Sequence, residues 1–116
     1  MSSTIPGKHL IIDFWEAENL TDIKLIESAL SDAAKACGAN ILNIDLHEFG
    51  EGFGVTGVAV LAESHISIHT WPENSYAALD VFMCGSCDPN NAIEPLKKVF
   101  KPNKSDIREL NRGDNG

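Results

Sequence analysis

The sequence predicts an α+β domain, a two-layer sandwich in which helices pack on one face of a mostly antiparallel sheet. Two segments, 23–37 and 93–100, carry apolar residues at helical spacing. Six others show the alternation or the β-forming residues typical of strands. Since neither a repeat nor a linker interrupts this pattern, we expect one domain over residues 1–116.

The first half of the chain predicts a strand, a helix and a second strand. Residues 9–15, HLIIDFW, are rich in β-forming side chains. Thr21 is the predicted N-cap of the first helix and Gly38 its end, with Cys37 in the core. Residues 40–49 then alternate as a strand does, and glycines at positions 50, 52 and 54 indicate a flexible loop.

The second half predicts three consecutive strands, a helix and a last strand. Asp88 and Pro89 are typical of a helix start, and Pro95 should bend that helix or delay its beginning. Alternation in the fourth strand places two isoleucines on one face and both histidines on the other. The predicted strands are 55–62, 65–70, 76–83 and 105–110, with a turn at 71–74.

Composition narrows the classes of function. The net charge of −8 argues against a nucleic-acid-binding protein and suits either a cationic substrate or solubility. No apolar run approaches membrane-spanning length and the start MSSTIPGKH lacks a signal-peptide core, so we expect a cytoplasmic protein that binds no membrane. Three cysteines, an odd number, favour reduced thiols.

Two histidines and two cysteines have the residue types of a zinc site or a redox pair. His65 and His69 lie on one strand, about 13 Å apart, which is too far for one metal ion, so we predict no metal site. Cys84 and Cys87 have redox-pair spacing but lack the helix start that lowers a thiol pKa. A non-enzymatic metal or redox module built on these cysteines is the farther alternative.

A long ungapped block, LAESHISIHTWPE, and the later YAALDVFMCG resemble the prokaryotic S-adenosylmethionine decarboxylase proenzyme family. Matching segments elsewhere are GKHLIIDFW, CGAN, HEF, GVTG and the DP before the second helix. The resemblance implies that the chain cuts itself between Glu63 and Ser64, and that Ser64 becomes a covalent pyruvoyl cofactor. It also implies decarboxylation of S-adenosylmethionine to the aminopropyl donor for spermidine, a polyamine.

The chemistry of these residues agrees with that resemblance. Ser64 Oγ can attack the Glu63 carbonyl, after which a base must remove the Ser64 α-proton so that the ester eliminates. A neutral histidine is the natural base near pH 7. The elimination product, dehydroalanine, then hydrolyses to a pyruvoyl group. Its carbonyl forms a Schiff base with the substrate amine and withdraws electrons as CO₂ leaves. An acid must then protonate the carbon, and a thiol can do so.

The resemblance also assigns roles to residues. His69 matches the processing histidine, Cys84 the catalytic acid, and Thr56 a position where many members have a serine that assists processing. Candidates for substrate binding are Glu73 on the ribose, Trp15 and Phe49 on the adenine and Glu16 near the sulfonium. The remaining histidines, at positions 9, 47 and 65, are predicted to be structural.

Geometry predicts a homodimer. Ser64 and His69 are five residues apart, roughly 16 Å along a strand and on opposite faces. An isologous dimer can bring His69 of one chain to Ser64 of the other, whereas a sharp bend after Ser64 is the alternative. The two predicted half-sites are Trp15, Glu16, Ser64 and Cys84 from one chain, and Phe49, Thr56, His69 and Glu73 from its partner.

One rival enzyme remains. The same processing motif would serve a pyruvoyl-dependent arginine or ornithine decarboxylase, because only the substrate pocket differs.

Overall fold

The computed structural model of the chain describes residues 7–62 and 64–113. Glu63, on one side of the predicted cleavage site, lies outside the described residues. The strands and helices are β1 Gly7–Trp15, α1 Ile23–Ala36, β2 Ile41–Glu48, β3 Val55–Leu61, β4 Ser64–Trp71, β5 Tyr76–Cys84, α2 Ile93–Phe100 and β6 Lys104–Arg112. Short 3-10 turns at Pro72–Asn74 and Pro89–Ala92 precede β5 and α2.

The six strands form one sheet in the order β2-β3-β4-β5-β1-β6, and every neighbouring pair is antiparallel. Alternate residues of the inner strands, such as Leu10 and Ile12 of β1, join α1 and α2 in one buried core. We call this side of the sheet the covered face and the other the open face. The predicted α+β sandwich is therefore confirmed, and its sheet is more uniformly antiparallel than expected.

The cap of helix α1 differs from the prediction. Asp22 rather than Thr21 is the N-cap, because its carboxylate accepts a hydrogen bond from the Leu25 amide at 3.2 Å. The helix ends as predicted just before Gly38, whose φ of 81° suits a residue without a Cβ. Cys37 is buried as predicted, and burial, with Cys87 and Asp88 nearby, raises its pKa to about 11.

Helix α2 begins later than Asp88 and Pro89 indicate. Asp88 caps the 3-10 turn, accepting from the Asn90 amide at 3.0 Å, and the α-helix starts only at Ile93. Pro95 thus falls in the first turn, where its missing N–H leaves no intrahelical bond unmade. The delayed start is confirmed.

Strand β4 begins one residue earlier than predicted. Ser64 is its first residue and pairs with Leu61 of β3. The amide of Ala62, which follows β3, donates to the Asn40 carbonyl at 3.0 Å and ties the end of β3 to the start of β2. Ser64 therefore lies at the end of the regular strand pairing.

Over the two described ranges, no helix is both long enough and apolar enough to cross a membrane.

Candidate active site

The predicted catalytic residues fall into two groups at opposite ends of β4. The first, which we call the serine end, consists of Ser64 and Cys84. Antiparallel pairing of His65 with Phe82 brings the start of β4 beside the end of β5. Both side chains are half-buried, and Ser64 Oγ lies 3.9 Å from Cys84 Sγ. A hydroxyl and a thiol thus share one corner of the sheet.

The second group, the histidine end, is built on the pairing of Thr56 with His69. Thr56 Oγ1 and His69 Nδ1 are 3.1 Å apart on the open face. When Nδ1 donates to the threonine, Nε2 carries the lone pair and can accept a proton. The Thr56 hydroxyl therefore orients the His69 ring and leaves its other nitrogen available to a second group.

A cavity of about 340 Å³ opens at the histidine end. It brings together four of the residues that the sequence predicts for the site, Phe49, Thr56, His69 and Glu73. The remaining lining residues are Phe53, Gly54, Thr70 and Trp71. A smaller cavity of about 270 Å³ adjoins it, sharing Thr56 and His69 and adding Asp45, His47 and Ser67.

Thr70 fixes one wall of the larger cavity. Its buried hydroxyl accepts from the Val55 amide and donates to the Leu20 carbonyl, both at 2.8 Å. Gly54 lies so close that a Cβ there would collide with the Thr70 carbonyl oxygen. Only glycine lets the β2–β3 loop approach β4 at this point, and the loop carries Phe49.

A row of rings crosses the open face at the histidine end. Successive centroids from Trp15 through Tyr76 and Trp71 to His69 are 6.0, 5.4 and 6.1 Å apart. The Lys104 ammonium lies 5.1 Å from the Trp15 ring at the other end of the row. Trp15 therefore shares a surface with His69.

The predicted grouping of half-sites is wrong for Trp15 and Glu16. Strand β1 is antiparallel to β5, so that Gly7 pairs with Cys84 while Phe14 pairs with Ala77. Trp15 consequently lies at the opposite end of β5 from Cys84 in the same chain. Glu16, exposed with a left-handed φ of 53°, follows Trp15 and accepts a bond from Asn103 at 3.3 Å.

Ser64 and His69 of one chain do not meet. Strand β4 pairs with β5 without a register shift from His65 to Trp71, so no bend returns His69 toward Ser64. His69 is exposed on the open face, whereas the alternation of the strand places Ser64 on the same face as buried Ile66. The alternative of a sharp bend after Ser64 is contradicted.

His65 and His69 are as far apart along β4 as the strand prediction requires. His69 pairs with Ala78 and His65 with Phe82, so His69 is four residues of β5 farther than His65 from the strand end that carries Cys84. A different group, His9, His65 and Asp80, brings its possible donor atoms within 4.8 Å of one another. This group contains neither Cys84 nor Cys87.

Sequence reasoning missed several residues at these sites. Trp71 has the parity of His69, so the period-two pattern of β4 could have placed it beside the cavity. Phe53, 63% exposed, sits in an irregular loop that carries no periodic signal. Asp80 stands in an apolar strand, and an isolated acid at a half-buried position is the signal that could have singled it out.

Taken together, the sheet, the adjacent hydroxyl and thiol, and the cavity beside a histidine have the features of an α+β enzyme. Comparison with known proteins narrows this class. Residues 8–113 match the family model described as S-adenosylmethionine decarboxylase, and the chain belongs to that family.

Individual relatives agree with the family model. The S-adenosylmethionine decarboxylase proenzyme of Methanococcus maripaludis is 52% identical over 110 residues, covering 92% of this chain and 89% of that protein. The proenzyme of the same name from Thermomicrobium roseum is 39% identical over 108 residues, covering 92% and 93%. The crystal structure of the adenosylmethionine decarboxylase from Aquifex aeolicus superposes with a TM-score of 0.85 at 29% identity, covering 99% of this chain and 96% of that one.

Proposed function

We propose that this chain is a pyruvoyl-dependent S-adenosylmethionine decarboxylase that cleaves itself between Glu63 and Ser64 and works as a homodimer. The observation that carries the proposal is the pair at the serine end, where Ser64 Oγ lies 3.9 Å from Cys84 Sγ in a member of the decarboxylase family. The names of the relatives, proenzymes of S-adenosylmethionine decarboxylase, support both the substrate and self-processing.

Each residue has a separate task in this scheme. Ser64 Oγ attacks the preceding carbonyl, and His69, oriented by Thr56, removes the Ser64 α-proton so that the ester eliminates. Water then hydrolyses the resulting dehydroalanine, and its nitrogen leaves as ammonia. Once formed at position 64, the pyruvoyl group supplies the electron sink that decarboxylation of an amino acid requires. The Cys84 thiol, adjacent to that position, donates the proton that replaces the lost carboxylate.

A second copy of the chain supplies the missing histidine. Within one protomer His69 and Ser64 stay at opposite ends of β4, so processing needs His69 of a partner. An isologous dimer provides this twice, once for each serine. The open face offers partly exposed apolar side chains for such contact, namely Ile11, Val60, Trp71 and Leu110.

The cavity at the histidine end is proposed to hold the substrate. Phe49 and Trp71 offer aromatic faces for adenine, and Glu73 offers a carboxylate to the ribose hydroxyls. Trp15 extends the same row of rings, and Glu16 beside it is proposed to face the sulfonium, which the net charge of −8 also favours. An arginine or ornithine decarboxylase is less favoured, because an aromatic cavity suits a nucleoside better than a basic amino acid.

We propose that the enzyme is cytoplasmic and that its product is the aminopropyl donor for spermidine. Neither a nucleic acid nor a membrane is part of the proposed mechanism.

The test is an intact-mass spectrum of the purified protein under denaturing conditions. We expect two chains, 1–63 and 64–116, the second with a blocked terminus that reacts with hydroxylamine. Ser64→Ala should give one uncut, inactive chain because no nucleophile remains, whereas Ser28→Ala on the exposed side of α1 should be cut as the parent is. CO₂ release from S-adenosylmethionine, arginine and ornithine then identifies the substrate. An active parent that stays uncut would overturn the proposal.

A further inference from the structure

Asp80 stands at the centre of a polar cluster on the open face. Its Oδ2 accepts from His9 Nε2 at 2.5 Å and from His65 Nε2 at 2.9 Å, while its Oδ1 accepts from Ser67 Oγ. The three partners come from β1 and β4, the neighbours of β5 on either side. One carboxylate therefore ties together the three central strands.

The cluster is complete as a hydrogen-bonded group. Burial alone would raise the pKa of Asp80, but the bonds from Ser67, His9 and His65 lower it overall, so that the carboxylate is charged at neutral pH. Arg112 Nη1 lies 3.4 Å from His9 Nδ1, and its guanidinium lies over the Phe82 ring at 5.3 Å. A guanidinium can only donate, so this contact at Nδ1 is compatible with the hydrogen bond that Nε2 makes to Asp80. These contacts favour a structural link between strands over a site for a metal ion. We call this link, formed by Asp80 with His9, His65 and Ser67, the clamp.

The clamp lies directly after the predicted cleavage site, and this position indicates what it does. His65 is the residue directly after Ser64, and Ser67 follows two positions later. The same strand β5 that presents Asp80 also presents Cys84, whose Sγ lies 3.9 Å from Ser64 Oγ. Through His65 and Ser67, Asp80 thus holds the first residues of β4 against β5, the strand that carries the Cys84 thiol.

Self-cleavage would change what holds this segment. In the uncut chain the β3–β4 turn restrains Ser64 covalently, but after cleavage position 64 becomes a chain terminus. Termini fray unless they are tied down. The backbone pairs of β4 remain, and the bonds of His65 and Ser67 to Asp80 add side-chain restraints within three residues of the new end.

We propose that Asp80 is a positioning residue that keeps the newly formed chain end aligned with Cys84 after cleavage. The proposal rests on the proposed function, because it requires a cut before Ser64. It gives the carboxylate no role in breaking the bond, and it predicts separate effects on cleavage and on turnover.

The experiment compares Asp80→Asn with the parent in three measurements. Intact mass should show that both are cut. Steady-state kinetics with S-adenosylmethionine should show kcat of the variant lowered about tenfold or more with KM within about twofold, since losing bonds to a charged group shifts an equilibrium by at least that factor. Hydrogen exchange of the cut protein should show residues 65–67 exchanging at least about tenfold faster, with β2, which does not pair with β4, unchanged.

Matched variants separate positioning from general destabilisation. Asp106→Asn removes a carboxylate of β6 whose only described bond is an exposed one to Arg108 at 3.2 Å, and should leave all three measurements at parent values. Ser67→Ala removes one bond of the clamp and should give a smaller change in the same direction. If Asp80→Asn fails to fold, Ser67→Ala replaces it as the test of the clamp.

The outcomes are distinguishable. A parent that is never cut overturns the proposed function itself. Cut Asp80→Asn protein with parent kcat and parent exchange at 65–67 overturns the clamp alone. A folded Asp80→Asn chain that stays uncut also overturns it, because the carboxylate would then act before the bond breaks.

Discussion

The two ends of β4 differ in what they offer to chemistry. At the serine end, Ser64 and Cys84 are half-buried, and Ser64 Oγ lies 3.9 Å from Cys84 Sγ. At the histidine end, His69 is exposed, the flanking loop carries aromatic rings, and a cavity of about 340 Å³ is open. One end thus holds the proposed nucleophile and acid, and the other holds the proposed base and space for a ligand. Neither end alone has a complete set, which is why the proposed enzyme needs two copies.

The largest expected effect tests whether the two ends meet only between chains. Ser64→Ala and His69→Ala chains should each remain uncut when expressed alone. Co-expressed in a mixed dimer, one site combines the parent Ser64 of the second chain with the parent His69 of the first. Cleavage of the His69→Ala chain should therefore return, as measured by intact mass after purification through two different affinity tags.

The control for this experiment is a dimer in which both chains carry both substitutions, and it should stay uncut. If a verified mixed dimer also stays uncut, His69 acts within its own chain and the division between the two ends is not functional.

The next effect separates the two tasks of the serine end. Cys84→Ala should still be cut, at least in part, but turnover should fall about 10²- to 10⁴-fold, the range typical of general acid catalysis. The measurements are the fraction cut and the rate of CO₂ release per cut chain. Cys87→Ala, three residues away, is the matched control and should retain parent turnover. Parent turnover in Cys84→Ala would make that thiol structural.

A smaller effect tests the orientation of the base at the histidine end. Thr56→Val keeps the shape of the side chain but removes the hydroxyl that lies 3.1 Å from His69 Nδ1. Loss of one such hydrogen bond should slow cleavage by about tenfold or less. The rate is followed as the uncut fraction against time after a pulse of synthesis. Thr56→Ser should cut at nearly the parent rate, and a Val variant as fast as the parent would show that the hydroxyl is not used.

The smallest effect concerns stability at the histidine end. The Tyr76 hydroxyl donates to Asp13 at 2.5 Å, and this bond, with some burial, raises the pKa of Tyr76 to about 12. Because the folded pKa exceeds the ordinary value of 10, the bond stabilises the protein fully below about pH 10 and is lost as pH rises through 12. Urea midpoints of the parent and Tyr76→Phe should therefore differ slightly at pH 9 and converge toward pH 12. A constant difference would mean that the tyrosine stabilises by packing alone.

The sequence predicted the serine end and the fold better than it predicted neighbours across strands. Alternation along β4 separates Ile66 from His65 and His69, because the side-chain period of a strand is a local property. The placement of Trp15 at the same end of the sheet as His69 depends instead on β1 inserting between β5 and β6, a long-range pairing that no local pattern records. Grouping Trp15 with Cys84 in one half-site was wrong for that reason.

Caps and loops show the same limit on a smaller scale. Thr21 and Asp22 are both good N-caps by type, and only the geometry of the Leu25 amide chooses between them. Gly54 was predicted as part of a flexible loop, but it is held against Thr70 because no Cβ intervenes. Composition identifies such a loop without showing what it touches.

The strand order has a consequence for the assembly of the cut protein. A break before Ser64 would assign β1, β2 and β3 to one polypeptide and β4, β5 and β6 to the other. Since β1 lies between β5 and β6, and β4 lies between β3 and β5, the two polypeptides are interleaved within a single sheet. They cannot separate without the sheet itself coming apart, so dissociation and global unfolding become one transition. Folding starts from one covalent chain, whereas refolding after the cut becomes a bimolecular reaction whose yield depends on concentration.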